Sequence, residues 1–271
     1  MKMKLTTISH VPASILGLAG SQAMNAKCLN QALAAGINYF FFYQLSAIEN
    51  LKDELKILLA DERQDILVAT GSESRNLHQL RQYLDLVRSR LNLDVIDVFF
   101  LEYVSPNDDL TQVQTLIQQL QIWKERGWIR YLGISTHNRA IAFDLIEQGQ
   151  IDVLMHRYNM AHVKAEQNVF PAAVRKNIPV IAFTCTRWGA LLKGHPDWHD
   201  KTPIAADCYR YVLSNEAITM ALTAPQTPTQ LSENLEVLSC PQLTESEKNH
   251  WRGYGDLIYG RGQDSFETQW L

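Results

Sequence analysis

A chain of 271 residues, 46% of them hydrophobic, can bury one large core, and (β/α) barrels commonly reach this size as one domain. Its formal charge of −4 is interspersed with no basic block, which excludes nucleic-acid binding through a charged patch. No apolar run is long enough to span a bilayer, and the first residues lack a signal-type apolar core.

These limits leave a cytoplasmic globular protein. Its four cysteines (Cys28, Cys185, Cys208, Cys240) lie far apart and read as reduced thiols. Ser14 to Ala19 forms a first short strand closed by Gly20, followed by a helix from about Met24 to Gly36. The dense aromatic run Ile37 to Tyr43 is too short and bulky for a helix and predicts a buried strand. A helix over Ile48 to Leu59 precedes a third strand, Asp65 to Thr70, ended by Gly71. Leu77, Leu80, Leu84, Val87 and Leu91 mark the next helix, and Val95 to Leu101 is the fourth strand, with Glu102 at its end.

Pro106-Asn-Asp-Asp supplies caps for a long amphipathic helix carrying Val113, Leu116, Ile117, Leu120 and Trp123 on one face. Gly127 ends it where a left-handed turn costs little. Tyr131 to Ile134 is a fifth short strand, followed by Ser135-Thr136-His137. Ala140 to Glu147 is helical and closed by Gly149; Ile151 to Met155 is the sixth strand, with Arg157-Tyr158-Asn159 beyond it. A helix through Val174 leads to a seventh strand, Pro179 to Phe183, and residues 193–204 form a loop. His195 and His199 flank Trp198 there, but Pro196 and Asp197 keep the segment out of a helix. A helix from about Ala206 to Leu213, an eighth strand near Ile218 to Leu222 and a final helix from Thr229 to Leu238 complete the series.

Eight strand–helix repeats without a composition break predict an α/β fold, a parallel (β/α)8 TIM barrel over about residues 14–238. A tail, 239–271, packs on it in the same domain, its aromatics Trp251, Tyr254, Tyr259 and Trp270 covering the barrel or serving a protein partner. A doubly wound sheet would need a glycine-rich turn after the first strand, and Gly17-Leu-Ala-Gly20 is a poor version of it. In either architecture, ligands are held at the carboxyl ends of the strands.

Several units together resemble the aldo-keto reductase family. Ala35-Gly-Ile-Asn-Tyr-Phe40 is similar to its second strand, and Gly127-Trp-Ile-Arg-Tyr-Leu-Gly-Ile-Ser135 to its fifth. Gly149-Gln-Ile-Asp-Val and Arg157-Tyr-Asn159 are similar to its sixth, and Ile178-Pro-Val-Ile-Ala-Phe183 with Gly189 to its seventh. Tyr211-Val-Leu-Ser-Asn215 and Gln230-Leu-Ser-Glu-Asn234 resemble the closing section. The tail, from Tyr254 to Trp270, resembles a branch that often carries an iron–sulfur module. Only Cys240-Pro241 fits that module, and one cysteine cannot hold a cluster.

The resemblance implies a barrel that binds NADP(H) and reduces carbonyls of a small-molecule substrate with an Asp-Tyr-Lys-His tetrad. Position by position, the aspartate falls on Phe41, the tyrosine near Ser46, the lysine on Gly71 and the histidine on Glu102. Hydride delivery leaves an alkoxide that needs a nearby acid, and an unassisted tyrosine with a pKa of ~10 is a slow donor at neutral pH. Tyr43 stands close to the tyrosine position as a substitute or as an aromatic in the barrel wall.

For the cofactor, the resemblance implies Ser135 and Phe183 at the nicotinamide and Glu233 and Asn234 at the adenine, while Thr136 and Met155 stand where asparagine and glutamine are expected. Ala224, Gln226 and Thr227 replace phosphate-binding positions, which Arg187 could partly offset. The expected NADP(H) binding is weak or lost. Glu102, His137, His156, Arg157 and Tyr43 remain as candidates for acid–base chemistry at the mouth. No metal-ligand spacing joins them. Three readings stay open: a divergent oxidoreductase without the usual tetrad, a non-catalytic scaffold or regulatory barrel, and a cofactor-independent isomerase or lyase using Glu102.

Overall fold

Side-chain alternation along the strands sorts the apolar residues into two cores. One set, including Tyr39, Leu67, Ala69, Val98, Phe100, Val153, Met155, Ile181, Phe183, Met220 and Leu222, clusters inside a closed ring of strands. Their chain neighbours, among them Phe40, Phe42, Val68, Phe99, Leu101, Leu154 and Ala182, belong to the larger cluster between strands and helices. The computed structural model describes residues 5–260.

The order is β1 (Leu16–Gly20), α1 (Lys27–Ala34), β2 (Tyr39–Phe42), α2 (Lys52–Glu62), β3 (Leu67–Ser72), α3 (Leu77–Leu91), β4 (Ile96–Leu101) and α4 (Leu110–Glu125). There follow β5 (Ile129–Thr136), α5 (Arg139–Gln148), β6 (Val153–Arg157), α6 (Val169–Lys176), β7 (Val180–Phe183), α7 (Ala205–Leu213), β8 (Ile218–Thr223), α8 (Pro228–Leu235) and α9 (Glu245–Tyr259). Each strand pairs in parallel with the next, and Leu16 to Leu18 of β1 lie against Ala221 to Thr223 of β8, so the sheet closes. The doubly wound alternative is thereby excluded.

The expected stops hold: Asp109 caps α4 by accepting from Thr111 and Gln112 N–H, and Gly127 beyond its end has φ +71°. Gly149 ends α5 in the left-handed region. Several boundaries differ from the sequence reading; β3, for one, runs through Gly71 to Ser72. β5 runs on through Ser135 and Thr136, paired with Met155 and His156, and β6 includes Arg157. α8 stops at Leu235 and continues as a 3-10 turn, Glu236–Leu238.

The tail holds a 15-residue helix, α9, that the sequence reading lacked. Gly253 and Gly255 speak against a helix by propensity, yet Gly255 is what lets α9 dock. A Cβ there would lie 2.0 Å from the Met160 carbonyl oxygen. Tyr254 is fully buried and donates to the Leu191 carbonyl at 2.7 Å, and Arg252 pairs with Glu166 at 2.6 Å. These contacts fasten α9 over the loops that follow β6 and β7. The predicted aromatic Trp270 and the stretch from Phe266 lie outside the described residues.

The amino-terminal end of the barrel is closed by residues 5–13, bridged at Thr6 and Pro12, with Leu5 inserted into the inner core. Asp97, fully buried, pairs there with Arg63 at 2.9 Å and Arg130 at 2.7 Å, and accepts from Val68 N–H at 2.8 Å. Arg130 also donates to the carbonyls of Thr6 and Thr7, fixing the plug.

Candidate functional site

At the carboxyl end of the barrel, strand parity decides which side chains face inward. Tyr39 faces the interior, and so Phe41 does; Leu67 and Ala69 place Gly71 on the same side; Val98 and Phe100 do so for Glu102. Phe41 is half-buried, its ring edge-on to Phe100 with centroids 6.0 Å apart. Gly71 has no room for a side chain: a Cβ would lie 2.4 Å from the Phe100 carbonyl oxygen and 2.6 Å from Glu102 Oε1. Glu102 thus occupies the space beside Gly71.

Glu102 is 1% exposed, and its Oε1 has no hydrogen-bond partner among the described residues. Burial, with a smaller contribution from the nearby charge of Glu73, raises its pKa well above the ordinary carboxylic range. Burial thus favours the neutral form of this acid. It is roofed by Tyr103, whose backbone has φ +50°, a left-handed conformation for a bulky residue. The turn brings the Tyr103 ring over the mouth, against Tyr43, His137 and Phe183, with centroids 5.6, 5.6 and 6.4 Å away.

Tyr43 is half-buried and donates its hydroxyl to Glu73, a residue that sequence reasoning missed. Burial and that carboxylate push its pKa further up, which leaves it a poorer proton donor than a free phenol. Tyr43, Glu73, Tyr103 and His137 line a cavity of about 390 Å³ that Glu102 does not line.

The nicotinamide candidates are engaged by the loop after β4. Ser135 Oγ accepts from Tyr103 N–H at 2.9 Å, and Thr136 Oγ1 donates to the Val104 carbonyl at 2.6 Å. Phe183 is 8% exposed, with the His137 ring 4.9 Å away and Tyr103 edge-on. Arg187 is buried and donates to the Ile258 carbonyl, tying the loop after β7 to α9. Asn234, also buried, donates to Thr223 Oγ1 at 2.8 Å, whereas Glu233 is exposed on α8.

His156 has the opposite parity to Met155: it points to the helix layer beside Leu154 and Tyr158. It therefore does not join Glu102 inside the barrel. It lines a second cavity, also of about 390 Å³, with Arg139, Arg157, His162 and Lys164. His137 and Asn138 form the wall common to the two cavities. Burial, then the charges of Arg157, His156 and His162, depress the His137 pKa to about 3. Burial and the charges of Arg157 and Arg139 bring His156 to about 4, so both imidazoles are neutral at physiological pH. Among the described residues, no group of three or more His, Cys, Asp or Glu is placed to hold a metal ion.

The aldo/keto reductase family model matches residues 18–203, more than half of the chain. An uncharacterized oxidoreductase, YqkF, of Bacillus subtilis is 22% identical over 290 aligned positions, covering 91% of this chain and 94% of that protein. The L-galactose dehydrogenase of Arabidopsis thaliana is 24% identical, covering 81% of each chain. Among solved structures, the holo form of an aldo-keto reductase from Bacillus halodurans superimposes with a TM-score of 0.77 at 19% identity, covering 97% of this chain and 100% of that one. The barrel, the order of its units and the extent of the family match lead to one conclusion: the chain belongs to the aldo/keto reductase family.

Proposed function

We propose that this chain is a divergent aldo-keto reductase that does not perform the usual carbonyl reduction and instead works as a cytoplasmic, non-catalytic binding or regulatory barrel. One observation carries the reading: Gly71, where the resemblance implies the lysine, has the Phe100 carbonyl 2.4 Å from any Cβ and the Glu102 carboxyl beside it. A side chain there would have to displace backbone. Phe41 and Glu102 at the neighbouring strand ends support the same view, and Tyr43 is bound to a carboxylate that makes it less acidic.

The proposal extends to the cofactor. Ser135 Oγ accepts from Tyr103 N–H, Thr136 donates its hydroxyl to the Val104 carbonyl, and the Phe183 ring packs against His137 and Tyr103. In this arrangement the groups do not fit a nicotinamide, so NADP(H) is held weakly or not at all. The test is a titration of NADPH followed by protein fluorescence, with Phe183→Ala as control, alongside aldehyde turnover. The expected result is no saturation below about 1 mM and no reduction of simple aldehydes. Micromolar saturation lost in Phe183→Ala, together with turnover near about 10 per second, would overturn the reading.

A second reading is favoured by Glu102 itself. A buried neutral carboxyl with an unpartnered oxygen is a group that proton-transfer enzymes use, and it suits a cofactor-independent isomerase or lyase. Glu102→Gln keeps the shape and removes the acid. Substrate turnover by the parent chain that this variant abolishes would favour the second reading over the first.

A further inference from the structure

The cavity between the loops after β5 and β6 is lined by none of Phe41, Gly71 and Glu102, and it shares His137 and Asn138 with the cavity beside Tyr43. Its described lining residues include Arg139, Arg157 and Lys164 and no carboxylate. α5 begins in its wall. Asn138 Oδ1 takes the Ile141 N–H at 3.0 Å, and the Asn138 carbonyl takes the Ala142 N–H at 3.0 Å. The N–H groups of Arg139 and Ala140, both lining residues, are the first-turn donors without an acceptor inside the helix.

A second observation is independent of the helix end. His156 is 2% exposed, lines the same cavity, and its Nδ1 has no hydrogen-bond partner among the described residues. Its ring bonds to the Thr136 backbone, which makes Nδ1 an acceptor in the neutral imidazole. A ligand suited to this set has several anionic oxygens for cations and amides, and one O–H to donate. A hydrogen phosphate group has both; a simple carboxylate lacks the O–H.

We propose that this cavity binds the phosphate group of a small phosphorylated molecule, held by the first-turn amides of α5, Arg139, Lys164 and Arg157, with His156 Nδ1 accepting a phosphate O–H. The helix end and the arginine geometry are the usual means of holding such a group. Lys164 comes from the loop after β6, where its Nζ lies 3.0 Å from the Tyr259 hydroxyl of α9, so three segments of the chain meet at the site.

The test is a calorimetric titration of inorganic phosphate into the full chain, with ionic strength held constant by potassium chloride. Arg139→Gln and Lys164→Gln alter exposed residues and leave the core intact. Each is expected to weaken phosphate binding about tenfold, while Lys176→Gln, an exposed lysine at the far end of α6, leaves it unchanged. Absence of saturable binding, or equal weakening by Lys176→Gln, would overturn the proposal.

Discussion

β4 carries a buried carboxyl at each end, and the two are treated in opposite ways. Asp97, at the amino-terminal end, is enclosed by Arg63, Arg130 and the Val68 N–H. Glu102, at the mouth, is equally buried, yet Oε1 has no partner among the described residues and burial raises its pKa. One strand thus spans an end at which its buried carboxylate is paired and an end at which a buried carboxyl oxygen is left over. At the mouth, aromatic rings and unspent polar atoms set up ligand chemistry.

The largest expected effect breaks the paired end. Asp97→Ala leaves two guanidinium groups facing a buried gap and should destabilise the chain by about 3–5 kcal/mol in denaturant unfolding. A loss below about 1 kcal/mol would mean that the two ends are not so different. Next comes Gly71→Ala, which forces a Cβ against the Phe100 carbonyl and Glu102. Its expected loss is about 1–3 kcal/mol, and a neutral result in the same assay would show that β3 and β4 yield more readily than their spacing suggests.

The smallest effect, and the sharpest in sign, is that of Glu102→Gln. Because the folded pKa is raised, the parent's Glu102 favours folding fully below the ordinary pKa near 4.5. That contribution fades as pH rises from there toward the folded value, since the unfolded chain gives up its proton first. Glutamine carries no such proton. The variant should match its parent within about 1 kcal/mol at acidic pH and gain on it as pH increases. Parallel stability–pH curves would show that Glu102 is ionised in the fold.

Much of the barrel was legible because periodic apolar runs and stop glycines act locally. Gly127 and Gly149 do in the structure what their place after helices suggests. α9 was not legible from propensity, as its two glycines argue against a helix and one of them is needed for docking on Met160. A usable signal was present, though: Thr244 and Glu247 form a capping box. At the site, counting outward from Val98 and Phe100 places Glu102 inside, and the same count from Leu154 turns His156 away. What no count reveals is the left-handed turn at Tyr103, which roofs Glu102 and engages Ser135. That conformation is imposed by packing, and nothing in the local sequence demands it.

The docking of α9 also bears on how the molecule is handled. Residue 5 enters the barrel at its closed end, whereas Tyr259 lies in the wall of the cationic cavity at the other. A surface tether or fusion partner joined ahead of residue 5 leaves both openings facing solvent. α9 is capped at Gly260 beside that cavity, so immobilised-ligand assays should be oriented from the first residues.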